Sequence, residues 1–413
     1  MKIKEIGFCN TLFYLLGVLA TIQILSIGGI TVFNILLVTT AILPLLIYIK
    51  CLKIDVFFVI SFIASLITLF TSICNEALTT DFKTSAIING TIYIGVLFIY
   101  LFMNNNVKSA YSLIQGFKYS CKLTLFWCLL QVLLFYTFHI DLNQKFFGDF
   151  LKISGANGAY YNGSLIPTGF YTHRAILLPS LIFLLFSTNN IYVILLTIFV
   201  GFLTKSTALI IGLLLTVIYK LLIRGVENYN KRINRKSVIR FLMIFVIFIF
   251  ICLMYHSEIN KHFEYIITRI IESTSNKADN SSVVHFLYYK NLYPILQKLD
   301  LHNLLFGTGF ETSGIHYTWY NGQYSFLATW VVESDYVNIL LNQGVIGFLI
   351  WYYVLAKIVL ISKRYKLWDN IGFILIITFV GIMYNIQFTW FIVIELGMFV
   401  LTKNKICVFK KNR

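Results

Sequence analysis

The sequence predicts an all-α integral membrane protein, a single domain (residues 1–413) built as a bundle of about twelve transmembrane helices. Of its 413 residues, 58% are hydrophobic and only 12% are charged, and the mean hydropathy is +0.80. Soluble domains carry about 25% charged residues, so most of this chain must lie in an apolar environment. Apolar runs of about 20 residues recur along the chain, whereas the alternation typical of membrane β-strands does not.

The apolar runs place the helices one by one. The first run follows Lys2 and Lys4 as in a signal peptide, but it lacks a small-residue cleavage site, so we predict a retained first helix. Some runs, such as Ile191–Leu203, are short for a full crossing and could be tilted or re-entrant. The predicted helices cover residues 6–26, 30–49, 56–74, 86–103, 117–139, 171–187, 191–203, 206–223, 239–255, 336–361, 371–384 and 388–402.

The net charge of +16 follows from topology. With the N-terminus inside, Lys and Arg collect in the cytoplasmic segments, including the basic loop 224–238 and the C-terminal tail. This pattern predicts a multi-pass protein of the cytoplasmic (inner) membrane with both termini inside, and it argues against a nucleic-acid partner. The 7 cysteines are scattered, and no cluster has metal-ligand spacing, so neither a disulfide framework nor a metal site is expected.

Two long segments are predicted to lie outside the membrane, at residues 140–169 and 256–332. Loops of this length are usually functional or disordered, and both contain aromatic and apolar residues. The pieces Phe263–Ile271 and Val283–Leu299 are amphipathic. We therefore expect a partly helical cap over a lipid-accessible cleft, with the functional site on this extracytoplasmic face. The chain has no phosphate-binding loop and no dinucleotide fingerprint, so no cofactor is expected.

The segment Leu304–Tyr353 carries a series of motifs in a fixed order. Gly307 and Gly309 form a G-x-G turn, the polar group 333–336 (Glu-Ser-Asp-Tyr) opens a helix, and a Gly-Val-Ile-Gly step follows at 344–347. This series resembles the C-terminal signature of the O-antigen polymerase and ligase superfamily. Two further stretches, 203–215 and 167–179, resemble other motifs of the family, and together the resemblance covers about half of the chain.

The resemblance implies a reaction and a set of partners. Ligases of this superfamily have a His-Asn pair where this chain has Glu333 and Ser334, so the resemblance is to the polymerase branch. A polymerase transfers a growing glycan from one undecaprenyl diphosphate to a lipid-linked repeat unit, yielding O-antigen of lipopolysaccharide or a capsule. Membrane lipid, a chain-length regulator and a flippase would be its partners. The alternatives are an O-antigen-type ligase and a lipid-linked oligosaccharide flippase or other transporter.

This chemistry needs a base for the acceptor hydroxyl and cations for the leaving diphosphate. Glu333 is the candidate base, although the acids around it could simply favour a helix N-terminus. Arg174 and Arg269 are the candidate catalytic cations, because a guanidinium grips phosphate oxygens in pairs. The alternatives are snorkelling to lipid headgroups for Arg174 and a surface ion pair for Arg269.

Six further residues are candidate substrate-binding residues. They are polar or aromatic side chains in or beside the two predicted outside loops or, for Lys205, at a predicted outer turn between two helices, where they could contact phosphates or sugars. Ordinary roles at a membrane interface or a helix cap are the alternatives for each of them. Glu395 lies within the last predicted helix, where an acid suggests function, but it has no identifiable partner in the sequence. The six candidates are His173, His285, Lys205, Asp335, Tyr336 and Tyr171.

Overall fold

A computed structural model of the protein describes most of its residues. Helices dominate these residues, and the sheets among them are two antiparallel pairs of short strands. The described residues are 3–27, 30–48, 52–75, 78, 80–153, 159–161, 164–171, 176–204, 206–228, 281–320, 332, 334–382, 384 and 389–409.

The N-terminal part contains five helices, two strand pairs and a π-helical turn. Asp55 begins α3 as its N-cap, and its Oδ1 accepts the Phe58 N–H at 2.8 Å. The elements are α1 (Ile3–Leu19), β1 (Ser26–Ile27), β2 (Ile30–Thr31), α2 (Val32–Tyr48), α3 (Val56–Cys74), α4 (Thr80–Asn105), α5 (Val107–Phe138), the π-helical turn (Gln144–Phe150), β3 (Ala159–Tyr161) and β4 (Ser164–Ile166).

The C-terminal part contains nine described helices. Asn190 caps α7 and Asp300 caps α10, each through a side-chain oxygen that accepts a backbone N–H. The helices are α6 (Leu177–Ser187), α7 (Ile191–Leu203), α8 (Thr207–Asn228), α9 (Ser281–Leu296), α10 (Leu301–Phe306), α11 (Ser313–Tyr320), α12 (Asp335–Arg364), α13 (Trp368–Val380) and α14 (Thr389–Lys403).

The helix lengths support a membrane-embedded bundle. Four described helices are long and apolar enough to cross a membrane: α3, α5, α12 and, within α4, the stretch Lys83–Asn105. Six more apolar helices are shorter. Helix α3 has the predicted bounds, whereas α5 begins ten positions before the predicted Phe117. Helix α6 has 11 residues and rises only about 16 Å, about half of a bilayer core. The all-α prediction is confirmed in this form, and the number of twelve crossings stays a prediction.

Contacts between helix ends define two ends of the bundle. At one, which we call the Lys403 end, Asp55 accepts the Tyr100 hydroxyl at 2.6 Å and lies 3.6 Å from the Lys403 ammonium. These contacts join the start of α3, the last turns of α4 and the end of α14. At the other end, Thr71 in the last turn of α3 contacts His302 of α10 at 2.8 Å. Helices α3 and α4 therefore run in opposite directions, as the predicted topology requires.

Helix α12 is broken at Gly344, where φ is 68° and ψ is −172°. Residues 335–343 form a short arm and residues 345–364 a long arm. The rings of Tyr336 and Tyr352 lie 5.0 Å apart, although the two residues are 16 positions apart. A continuous helix would separate them by about 24 Å along its axis. The short arm therefore folds back along the long arm, and the prediction of one continuous helix over residues 336–361 is wrong.

The G-x-G turn closes the break in α12. The N–H groups of Thr308 and Gly309 donate to the carbonyls of Leu341 and Asn342, at 3.0 and 3.1 Å. These carbonyls lie where the helical hydrogen-bond ladder stops, so the turn satisfies groups that would otherwise be costly to bury. The predicted tight turn is confirmed, with φ of 80° at Gly307 and 126° at Gly309. We call residues 307–309 together with Gly344 the glycine clasp.

We expect Gly344→Ala to destabilise the protein by about 2–4 kcal/mol, because the change adds strain and overlap. A Cβ at Gly344 would lie 2.3 Å from the backbone carbonyl of Leu305, and the left-handed φ disfavours an L side chain. Thermal unfolding of the detergent-solubilised protein measures this loss as a lower Tm. The matched control is Gly7→Ala, since nothing lies within 4 Å of a Cβ there. Equal Tm values for the two variants would contradict the tight contact at the clasp.

Candidate functional site

The carboxylate of Glu311 lies just after the glycine clasp and against helix α4. Its Oε2 accepts the Asn89 side-chain N–H at 2.6 Å and the Ser85 hydroxyl at 3.4 Å. Ser85 and Asn89 are one helical turn apart, so one face of α4 presents both donors to the acid. Among the described residues, no Lys or Arg forms an ion pair with Glu311. The carboxylate therefore lies in a neutral, hydrogen-bonding environment and is partly exposed.

Burial raises the pKa of the Glu311 carboxyl from its usual 4.5 to about 7, although the hydrogen bond from Ser85 acts in the opposite direction. Removal from water disfavours the charged form of an acid, and no cation compensates here. A group with a pKa near 7 can both take up and release a proton at neutral pH. This property, combined with partial exposure, makes Glu311 the best candidate for a proton-transfer residue among the described residues.

The backbone at Glu311 is in the left-handed region, with φ of 57°. This conformation is unfavourable for a residue with a long side chain, and such strain clusters at functional sites. The next two residues are held firmly: the Asn342 Oδ1 accepts the N–H groups of Thr312 and Ser313, at 3.0 and 2.8 Å. The short arm of α12 thus fixes the segment that carries the acid, residues 309–313, which we call the Glu311 segment.

Behind Glu311 lies a network of hydroxyl groups around His316. The Thr308 hydroxyl contacts His316 Nε2 at 2.8 Å and the Thr312 hydroxyl at 2.8 Å, and it also reaches the Leu341 carbonyl at 3.2 Å. Burial lowers the pKa of His316 to about 4, so its ring is neutral at pH 7. Glu311, and not His316, is therefore the group of this cluster that titrates near neutral pH.

Phe310 packs the Glu311 segment onto α4. Its ring lies 5.2 Å from the ring of Tyr93, and a Cβ at Gly90 would lie 2.8 Å from its edge. Phe310 and Tyr93 are both buried. The apolar contact fixes the height of Glu311 along α4, so the acid meets Asn89, four positions before Tyr93.

The motif of the first loop forms a second buried turn. At Gly169, φ is 63°, and its N–H donates to Gln131 Oε1 at 3.0 Å. The side-chain amide of Asn143 donates to the Gly169 carbonyl at 3.2 Å and to the Thr168 hydroxyl at 3.2 Å, and Asn143 Oδ1 accepts the Trp127 N–H at 2.9 Å. This turn is anchored to α5, and the chain leaves it a few residues before the predicted Arg174.

Two of the predicted substrate-binding residues belong to the short arm. Asp335 is buried at its start, and its backbone N–H donates to the Gly381 carbonyl at 3.0 Å. The hydroxyl of Tyr336 donates to the Thr378 carbonyl at 3.1 Å. Both residues therefore dock the arm onto the end of α13, and neither contacts Glu311 through a described hydrogen bond.

Tyr171 is placed differently from a sugar-binding residue. Its ring is 1% exposed, packs against Trp390 and shares a hydrogen bond with Ser180. A fully buried ring offers no face on which a sugar could stack, so we leave Tyr171 out of the proposed site. His285 lies in α9, of which only the backbone is described at that position. The other predictions, Glu333, Arg174, Arg269, His173 and Lys205, lie outside the described residues.

The sequence motifs flank Glu311 without including it. It lies two positions after the second glycine of the G-x-G turn, where an acid is an ordinary turn residue. The sequence feature that could have identified Glu311 is its position beside the G-x-G turn, which is part of the family resemblance. In the described part of the chain, no three His, Cys, Asp or Glu residues are grouped as metal ligands.

The raised pKa of Glu311 predicts a pH-dependent effect of Glu311→Gln on stability. The folded protein binds the Glu311 proton more tightly than the unfolded chain, so this group's contribution to stability falls as pH rises from about 4.5 to about 7. Glutamine cannot ionise. We therefore expect the Tm of the variant, relative to wild type, to be higher at pH 8 than at pH 5.

The matched control for this measurement is Asp149→Asn. Asp149 forms an ion pair with Lys145 at 3.0 Å, and both side chains are about half exposed or more. Exposed pairs contribute little to stability, so this change should have a small effect at both pH values. The same Tm difference for Glu311→Gln at pH 5 and pH 8 would show that the carboxyl is not perturbed.

Comparison with known proteins adds no assignment to this arrangement. No model of a protein family matches the chain, and no curated protein matches it either.

Proposed function

We propose that the protein is a polymerase of lipid-linked oligosaccharide repeat units, working on the outer face of the cytoplasmic membrane. The donor would be a glycan on undecaprenyl diphosphate, and the acceptor would be the terminal sugar of another lipid-linked unit. The product would be O-antigen or a capsular polysaccharide. Glu311 lies near the start of α4, away from the Lys403 end of the bundle. We propose that this end faces outward, because the predicted topology places most Lys and Arg residues on the cytoplasmic side.

One observation carries this proposal. The two glycine motifs that resemble the polymerase signature meet in the glycine clasp, and Glu311, with a pKa near 7, lies two positions after Gly309 of that clasp. A glycosyl transfer to a sugar hydroxyl needs a proton acceptor of this kind. The neighbouring side chains, Asn89 and Ser85, are neutral hydrogen-bonding groups suited to sugar hydroxyls.

In the proposed mechanism, the acceptor hydroxyl gives its proton to the Glu311 carboxylate. The hydroxyl oxygen then forms a bond with the anomeric carbon of the donor sugar. The bond between that carbon and the diphosphate oxygen breaks, and its electron pair leaves on the lipid diphosphate. Arg174 and Arg269 are proposed as the cations that stabilise this charge. Glu311 later releases its proton to water, which its pKa permits at neutral pH.

This proposal moves the role of base from Glu333 to Glu311. Glu333 precedes Ser334, whose hydroxyl lies 2.7 Å from that of Tyr289, at the entry to the short arm. The acid at 333 is retained as a proposed site residue with the arginines, since it adjoins the arm that holds the Glu311 segment. An O-antigen-type ligase would use the same bond chemistry with a different acceptor, and the absence of a His-Asn pair at 333–334 favours the polymerase.

A second candidate function, a transporter of lipid-linked oligosaccharide, is favoured by one specific feature. Secondary transporters use discontinuous helices and acids inside the membrane. The broken helix α12 and the fully buried Glu395 of α14 fit that description. The transporter has a different expected phenotype, because it would be needed for surface delivery of single units and not for their joining.

The test is a glycan ladder from a strain that lacks this protein and carries wild type or a variant. Deletion should leave single repeat units at the cell surface, and wild type should restore the ladder. We expect Glu311→Gln to lower chain elongation by about 10²–10⁴-fold, the usual contribution of a general base. Arg174→Ala and Arg269→Ala should also lose the ladder, because each removes a cation from the leaving diphosphate.

Asp149→Asn is the matched control, since it also turns an acid into an amide, at an exposed position. It should restore the full ladder at equal membrane abundance. Loss of single units from the surface on deletion would identify the transporter instead. A full ladder with Glu311→Gln would remove Glu311 from the reaction.

A further inference from the structure

One residue on the short arm of α12, Asn342, forms hydrogen bonds with the chain around Glu311. Asn342 is buried and bonds to the Glu311 segment on both sides of the acid. Its backbone carbonyl accepts the Gly309 N–H at 3.1 Å, and its Oδ1 accepts the N–H groups of Thr312 and Ser313. A single residue therefore holds the turn before Glu311 and the helix start after it.

We propose that Asn342 is a positioning residue of the Glu311 site, which acts by fixing the backbone that aims the carboxylate at Asn89. This inference depends on the function proposed above and adds the short arm to its machinery. Asn342 itself would touch neither donor nor acceptor.

The backbone at Glu311 makes such a restraint necessary. With φ of 57°, the residue is in a conformation that long side chains disfavour. Without the bonds to Thr312 and Ser313, the segment would relax toward negative φ. That rotation would swing the carboxylate away from Asn89, which it now meets at 2.6 Å. Displacements of about 1 Å at a reacting group lower rates by as much as about 10²-fold.

The orientation of the Asn342 amide is fixed in turn by Asn338. The Asn342 amide donates to Asn338 Oδ1 at 2.9 Å, and the same oxygen accepts the Ser313 hydroxyl at 2.6 Å. Since Asn338 Oδ1 needs donors, it turns the N–H₂ of Asn342 toward itself and the Oδ1 of Asn342 toward the two backbone N–H groups. The two asparagines form one unit along the short arm.

Substitutions at Asn342 can separate this role from simple packing. Aspartate is almost the same size and keeps an acceptor oxygen for the two N–H groups; its second oxygen, when protonated, can still donate to Asn338. Alanine removes the acceptor and leaves two buried N–H groups unsatisfied. A positioning role requires aspartate to rescue what alanine loses.

The experiment uses the full-length protein in vesicles. The probe is the lipid-linked single repeat unit extracted from the deletion strain, supplied over a range of concentrations. We expect Asn342→Ala to lower kcat by about tenfold or more with KM changed less than about threefold, because the base is misplaced while the rest of the binding surface remains. Asn342→Asp should keep kcat within about threefold of wild type.

The matched control is Asn370→Ala, the same change at a fully buried asparagine that donates to Thr402 at the Lys403 end. It should leave kcat unchanged. If Asn342→Ala fails to fold, Asn338→Ala provides the second test, since it frees the Asn342 amide to turn and should lower kcat with an unchanged KM.

Wild-type kcat with Asn342→Ala would overturn the inference, and so would an equal loss with aspartate and alanine. These results are distinct from failure of the proposed function. In that case Glu311→Gln would retain wild-type kcat, or wild-type protein would not join the extracted units at all.

Discussion

The arrangement depends on one constraint: a helix broken inside a packed bundle must find partners for its free backbone groups. Gly344 ends the hydrogen-bond ladder of α12, and the carbonyls left free there are buried, so they need partners within the protein. The N–H groups of Thr308 and Gly309 occupy these positions. The turn can approach the break in α12 so closely because neither Gly307 nor Gly344 carries a side chain. A Cβ at either position would overlap the backbone of the other motif, so both motifs need glycine.

The functional chemistry follows from this geometry. The turn that satisfies the broken helix also carries Glu311 into a half-buried position beside α4, where burial raises its pKa toward 7. A free acid on a mobile loop would be ionised at neutral pH and would transfer protons poorly. Behind Glu311, the neutral His316 ring and the hydroxyl of Thr312 both contact the Thr308 hydroxyl, and none of these groups adds a charge. Rigidity and proton affinity at Glu311 therefore have a common origin.

The helical class of the fold could be predicted from the sequence, and so could the tight turn at Gly307 and Gly309 beside the candidate site. Helix α3 matched its predicted bounds because Asp55 is a strong cap before a mostly apolar run without charged residues. The break in α12 escaped detection, since hydropathy does not register the backbone conformation of a single glycine. Glu311 was missed because its raised pKa arises from burial in the folded protein, against a helix whose Ser85 and Asn89 lie more than 200 positions away in the chain. Short-range motifs located the turn, but only the tertiary contacts select the acid beside it.

The contacts at the Lys403 end have a consequence for biogenesis. Lys403 donates to Asn104 Oδ1 at 2.9 Å, across 299 positions of sequence, and lies 3.6 Å from Asp55, so the last helix closes onto both α4 and α3. The N-terminal helices emerge from the ribosome first, yet their polar end groups reach their final partner only when the C-terminal helix has inserted. Until then, the Asp55 carboxylate has its bonds to Tyr100, to Asn104 and to the Phe58 N–H, but no cation from α14. A chain truncated by interrupted translation lacks this closure, so the ends of α3 and α4 keep only the contacts that they make with each other.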